Sequence, residues 1–172
     1  MMSSVKQLIN DWILPIFSAI VLAFIINKFV FFNIEVPTPS MYPTIKVGDH
    51  IFVTKIYNFN NIKRGNAIVF YSEELHQRLI KRVIGLPGET VEIKPDHTVW
   101  INGSRMDEPY VKNNGGKIGT YKVPPKQYFL LGDNRADSFD SRYWANTYIP
   151  TKDIQGKAQI TIYPFNRIGF FK

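Results

Sequence analysis

Arg78-Leu79-Ile80-Lys81-Arg82-Val83-Ile84-Gly85-Leu86-Pro87-Gly88-Glu89 is the stretch that decides the fold class. Leu79 to Ile84 reads as a strand, because alternate residues of a strand share a face. Leu79, Lys81 and Val83 fall on one face; Ile80, Arg82 and Ile84 fall on the other. Gly85, Pro87 and Gly88 then stop it. Upstream, Ile51 to Val53 and Ala67 to Tyr71 have the same character. Downstream, so do Thr90 to Ile93, Thr98 to Ile101, Tyr128 to Leu131 and Ala158 to Tyr163. Each run is short and bounded by Gly, Pro, Asn or Asp. Pro95-Asp96-His97 reads as a hairpin connection and Asn102-Gly103 as a turn. No segment after Ile34 keeps helical periodicity over three turns. The expectation is a mainly β domain of antiparallel sheet. Asp107 to Lys126 is polar and rich in Gly, Asn and Pro, so about 90–127 is expected to be a small β subdomain or surface excursion.

The N-terminal part differs. Ile13 to Ile26 is apolar or small apart from Ser18, and Phe29-Val30-Phe31-Phe32 resumes after Asn27-Lys28. A helix over 13–34 would reach about 33 Å, close to the thickness of a bilayer core. Pro15 stands in its first turn, where a helix tolerates it. Lys28 stands near its end, where a long side chain can snorkel. A cleaved secretory segment is the rival reading, but no small-x-small site follows the apolar core. The expected layout is a cytoplasmic tail over 1–12, an anchor over 13–34 and an extracytoplasmic domain over 35–172. The tail carries little charge to set this orientation, and long domains cross largely regardless of charge.

Composition removes several chemistries. The chain has 172 residues and no cysteine, so disulfides, cysteine nucleophiles and cysteine metal sites are impossible. His50, His76 and His97 are far apart, and neither a metal nor a cofactor is expected. The net charge of +7 fits an acidic partner. The basic residues are dispersed and no nucleic-acid motif is present, so the lipid bilayer, not nucleic acid, is the expected acidic partner. A monomer is expected.

Three stretches can carry chemistry. Pro37-Thr38-Pro39-Ser40-Met41-Tyr42-Pro43-Thr44 frames one serine with three prolines. Proline fixes its own φ and restricts the residue before it, so Ser40 is expected on a stiff, extended backbone. Such a serine is a nucleophile if a neighbour takes its proton; otherwise the stretch is a linker. Lys81, between two aliphatic neighbours on its face, is a candidate base if burial lowers its pKa by about 2–3 units. The alternative is an edge lysine with its amine in water. Gly132-Asp133-Asn134-Arg135-Ala136-Asp137-Ser138-Phe139-Asp140-Ser141-Arg142 follows a strand and packs serines, aspartates and arginines together. It reads either as a solvated turn or as an ion-paired frame, in which Ser138 or Ser141 would hold a neutral lysine in line.

Taken together, anchor, serine stretch, Gly65-Asn66-Ala67-Ile68-Val69-Phe70, lysine strand and Gly-Asp-Asn-Arg loop resemble a bacterial type I signal peptidase of the short, single-anchor kind. The resemblance covers nearly the whole chain. It implies a serine endopeptidase with a Ser40/Lys81 dyad that removes signal peptides from secretory preproteins at the membrane. It also implies an oxyanion hole from Thr38 and the Ser40 N–H. Ser138 would orient the lysine, and Asp133, Asp140, Arg82 and Arg142 would support the site. Val36, Ile45, Ile51 and Ile80 would line shallow pockets for small side chains. Pro39, Asn66, Ala136, Asp137 and Ala145 depart from the usual pattern, without removing either member of the dyad.

Two other functions fit parts of this pattern. One is a membrane-anchored β module that binds exported chains with weak or no catalysis. The other is a self-cleaving β domain of the SOS-repressor type, against which the apolar segment and the lack of a helix-turn-helix count. Ser3-Ser4-Val5-Lys6 matches a Ser-x-x-Lys pattern, but in the tail, with no fold around it.

Overall fold

The computed structural model describes residues 6, 7 and 9–171. Part of the expected tail, with Ser3 and Ser4 of the Ser-x-x-Lys pattern, therefore lies outside the described residues. A π-helical turn over Ile9–Ile13 leads into α1, Leu14–Phe29. Asn10 to Phe29 is long and apolar enough to cross a membrane, and none of it is buried against the rest of the chain.

The helix expected over 13–34 stops at Phe29. Phe31–Glu35 forms strand β1, paired antiparallel with β2, His50–Lys55, from Phe31 opposite Thr54 to Glu35 opposite His50. A short apolar run does not by itself distinguish helix from strand. Here Phe32 and Ile34 alternate onto the core while Asn33 and Glu35 are exposed, and that pattern suits a half-buried strand.

The remaining strands are β3 Ala67–Ser72, β4 Gln77–Gly85, β5 Thr90–Ile93, β6 Val99–Ile101, β7 Ser104–Arg105, β8 Gly119–Lys122, β9 Gln127–Leu131, β10 Ile149–Pro150, β11 Ile154–Tyr163 and β12 Gly169–Phe170. The larger sheet has the order β1-β2-β11-β3-β4-β9-β10, with β12 also on β11. The smaller has the order β7-β6-β5-β8 and is inserted between β4 and β9. All pairings are antiparallel, as the punctuated short strands imply. The polar stretch 107–126 contributes β8 to the smaller sheet.

The long apolar run in β3 is explained by burial on both faces. Ala67 and Val69 enter one core cluster, and Ile68 and Phe70 enter another. β9 does the same, with Tyr128 and Leu130 on one side and Phe129 and Leu131 on the other. Gly85 stands where β4 leaves for the smaller sheet. A Cβ there would lie 2.6 Å from Val91 Cγ2 and 2.8 Å from Val123 Cγ2, so close packing of the two sheets needs glycine.

Candidate active site

Three connections deliver the chemical groups. Ser40 lies between β1 and β2, Lys81 is in the middle of β4, and the Gly132–Arg142 loop joins β9 to β10. The serine stretch differs from expectation: Thr38 is extended, but Pro39–Met41 forms a 3-10 turn closed by the Tyr42 N–H donating to the Pro39 carbonyl at 2.9 Å. The fixed φ of Pro39 suits the first position of such a turn as well as an extended chain. Ser40 is buried in this turn, at 6% exposure.

Lys81 is also buried, at 3% exposure, and its Nζ donates to Ser40 Oγ at 2.5 Å. The two residues lie 41 positions apart in sequence. Burial draws the Lys81 ammonium from its ordinary 10.5 down to about 8; Asp140 opposes this, Arg142 reinforces it and Asp133 opposes it. Thr38 Oγ1 stands 3.4 Å from Ser40 Oγ.

The mixed-charge loop is a buried frame, not a solvated turn. Arg82 grips Asp133 with two prongs, Nε to Oδ1 at 2.7 Å and Nη2 to Oδ2 at 2.6 Å. Asp133 also accepts from Thr44 Oγ1 at 2.6 Å, which ties the frame to the serine stretch. Arg142 grips Asp140 through Nε and Nη2, both at 2.8 Å. Asp140 in turn accepts from the Gly132 N–H at 3.1 Å. Charges this deeply buried hold only because each is paired and hydrogen-bonded.

Ser138 is near the dyad but does not bond to Lys81. Its Oγ is buried and has no hydrogen-bond partner among the described residues. A Cβ on Gly132 would lie 2.2 Å from that oxygen and 2.4 Å from the Ser40 carbonyl, so glycine lets these three backbones and side chains converge. Ser141, the other serine weighed for this task, is engaged elsewhere: its Oγ accepts from the Leu130 N–H at 2.9 Å.

A groove of about 320 Å³ runs between residues 33–38 and the 77–81 half of β4, with Ser40 and Lys81 in its lining. Val36 and Ile80 line it too, whereas Ile45 and Ile51 are fully buried in the same apolar cluster and do not reach the lining. A larger cleft of about 490 Å³ lies between the β3–β4 turn and residues 144–153. It contains neither member of the dyad.

Sequence reasoning missed several supports. The Asn134 N–H donates to the Ser40 carbonyl at 3.0 Å and its Nδ2 to the Pro39 carbonyl at 3.1 Å. Arg135 pairs with Glu108 and holds the Gly132 carbonyl through Nε at 3.0 Å. Tyr110 lies 4.0 Å beneath the Arg82 guanidinium and donates to Glu108 at 2.9 Å. Asn134 and Arg135 sit inside the quoted loop, but Glu108 and Tyr110 come from the polar excursion. No local signal marks them as site residues.

Comparison with known proteins gives the family. The family described as "Signal peptidase, peptidase S26" matches residues 9–163. Signal peptidase I P of Bacillus subtilis subsp. natto is 37% identical over 97% of this chain and 96% of its own length. Signal peptidase I of Leptolyngbya laminosa is 41% identical over 88% of this chain and 78% of its own length. The crystal structure of a signal peptidase I from Enterococcus faecalis V583 superposes with a TM-score of 0.51 at 36% identity, covering 56% of this chain and 96% of that one. With a match across most of its length, the chain belongs to the signal peptidase family, peptidase S26.

Proposed function

We propose that the chain is a membrane-bound serine endopeptidase that removes N-terminal signal peptides from exported preproteins, with Ser40 as nucleophile and Lys81 as general base. The observation that carries this reading is the 2.5 Å contact between a buried amine and a buried hydroxyl. A pKa drawn down to about 8 leaves a useful fraction of the amine neutral near physiological pH.

In the neutral form Lys81 takes the Ser40 proton as Oγ attacks the scissile carbonyl. The resulting oxyanion is met by the Thr38 hydroxyl and the Ser40 N–H. Lys81 then gives its proton to the leaving amine, and an ester to Ser40 remains. Water, deprotonated by Lys81, hydrolyses that ester and restores the hydroxyl. Asp133–Arg82 and Asp140–Arg142 hold the frame, and Ser138 orients the lysine. Substrate lies extended along the groove, bonded through its backbone. Val36 and Ile80 at its surface, with Ile45 and Ile51 packed in the cluster they cap, leave room only for small side chains before the cut.

On this reading α1 spans the membrane, with the N-terminus cytoplasmic and the β domain on the outer face, acting as a monomer. Ser40→Ala and Lys81→Met, each assayed with a preprotein and with a soluble signal-site peptide, are expected to lose at least about 10³-fold in kcat. Near-wild-type turnover by either variant would falsify the dyad.

A further inference from the structure

The last carbonyls of an α-helix have no partner within the helix. The last two carbonyls of α1, and that of Val30 just beyond it, are taken by the end of β2 and the residues just after it. Lys55 Nζ donates to the Lys28 carbonyl, Tyr57 Oη donates to the Phe29 carbonyl at 2.6 Å, and the Lys55 N–H donates to the Val30 carbonyl at 2.9 Å. A cation at a helix C-terminus also meets the negative end of its dipole. These bonds gain strength at a membrane surface, where water competes less.

One residue, Val30, separates the helix from β1. Beyond it the chain is tied at each stage. β1 pairs with β2 throughout, the Val36 N–H donates to the Asp49 carbonyl at 3.0 Å, and the Gly48 N–H donates to the Val36 carbonyl at 2.9 Å. The Ser40 carbonyl is then held by Asn134. No slack segment lies between the membrane span and the nucleophile. The rise from Phe31 to Glu35 is at most about 17 Å, so Ser40 stands at one set height above the bilayer.

We propose that Lys55 and Tyr57 determine specificity by clamping the anchor to the catalytic sheet, so that the enzyme chooses its cut by height above the membrane as well as by side chain. This rests on the proposed function and adds to it a second criterion for the cut. Neither residue touches the groove, and neither acts on the reacting atoms. Their effect is on which peptide bond of a membrane-held substrate reaches Ser40.

The test uses the full chain in lipid vesicles and a preprotein with two identical small-x-small sites. The second site lies six residues farther from the apolar segment, about 20 Å when extended. The wild type is expected to cut almost entirely at one of them. Two variants loosen the clamp: Lys55→Ala combined with Tyr57→Phe, and a four-residue Gly-Ser insertion between Val30 and Phe31. Each is expected to raise the share of the other product by at least about fivefold, since a flexible tether widens the reach of the site. Cleavage of a soluble peptide is expected to stay within about twofold of wild type, because peptide has no membrane height. An unchanged product ratio in the Lys55→Ala, Tyr57→Phe variant overturns the proposal, whatever the insertion does. So does a loss on peptide as large as that on preprotein, which marks a merely structural role. If the wild type cuts neither substrate, the functional reading itself fails, and this inference fails with it.

Discussion

Lys81 is held at a cost in stability that the proposed chemistry requires. Its amine titrates near 8 when folded and at 10.5 in its ordinary state. Between those values the unfolded chain binds more protons than the folded one, so stability rises with pH through that window. Below about pH 8 both states are protonated and the full penalty of the buried ammonium applies, about 3 kcal/mol from the size of the shift. Lys81→Met removes that penalty and keeps the volume. The variant is expected to be inactive yet more stable than wild type at pH 6, by up to about 3 kcal/mol, with the gain fading as pH rises from about 8 to 10.5. Chemical denaturation at several pH values measures it, and a constant difference across pH would discard the buried-amine account. For the wild type, kcat/KM on a soluble peptide is expected to climb as pH rises through about 8. At this scale the sequence was informative. A serine framed by prolines and a lysine set among aliphatic residues are both local patterns.

Elements bring those residues together, and the buried ion pairs decide how firmly. Arg82 on β4 joins Asp133 after β9, and Asp133 reaches Thr44 in the serine stretch. One carboxylate thus ties three separate segments. Asp133→Asn leaves the Arg82 guanidinium, 3% exposed, without its counter-charge. The expected loss is about 3–5 kcal/mol of unfolding free energy, read from the denaturant midpoint. A smaller fall, under about 1 kcal/mol, would place this pair with ordinary surface bridges. The composition of the loop implied such a frame but not its partners. Burial pushes the Tyr110 phenol up, with the Glu108 carboxylate adding to it, so Tyr110 remains a donor to Glu108. That Tyr110–Glu108–Arg135 link was invisible in sequence, because a contact across 27 positions leaves no periodic trace.

For the whole molecule, the boundary between the apolar helix and the β domain has a practical consequence. A cut after Ile34, where the apolar segment ends in sequence, would remove most of β1. Phe32 and Ile34 would no longer cover the core beside Ile51 and Val53, at about 2–3 kcal/mol for two half-buried side chains. A chain starting at Phe31 is expected to be soluble, to unfold cooperatively and to cut soluble peptides. One starting at Glu35 is expected to aggregate or to unfold at a clearly lower midpoint. Equal behaviour of the two would show β1 to be dispensable. The mainly antiparallel β fold and the apolar helix followed from the sequence alone, because each is written in neighbouring residues: strand period and hydrophobic length. Tertiary structure alone decided that the helix yields to β1 at Val30, that Ser138 Oγ sits beside Gly132 with no hydrogen-bond partner among the described residues, and that Ile45 and Ile51 stay beneath the groove surface. Those outcomes depend on which side chains meet across long separations, and packing, not local propensity, sets such encounters.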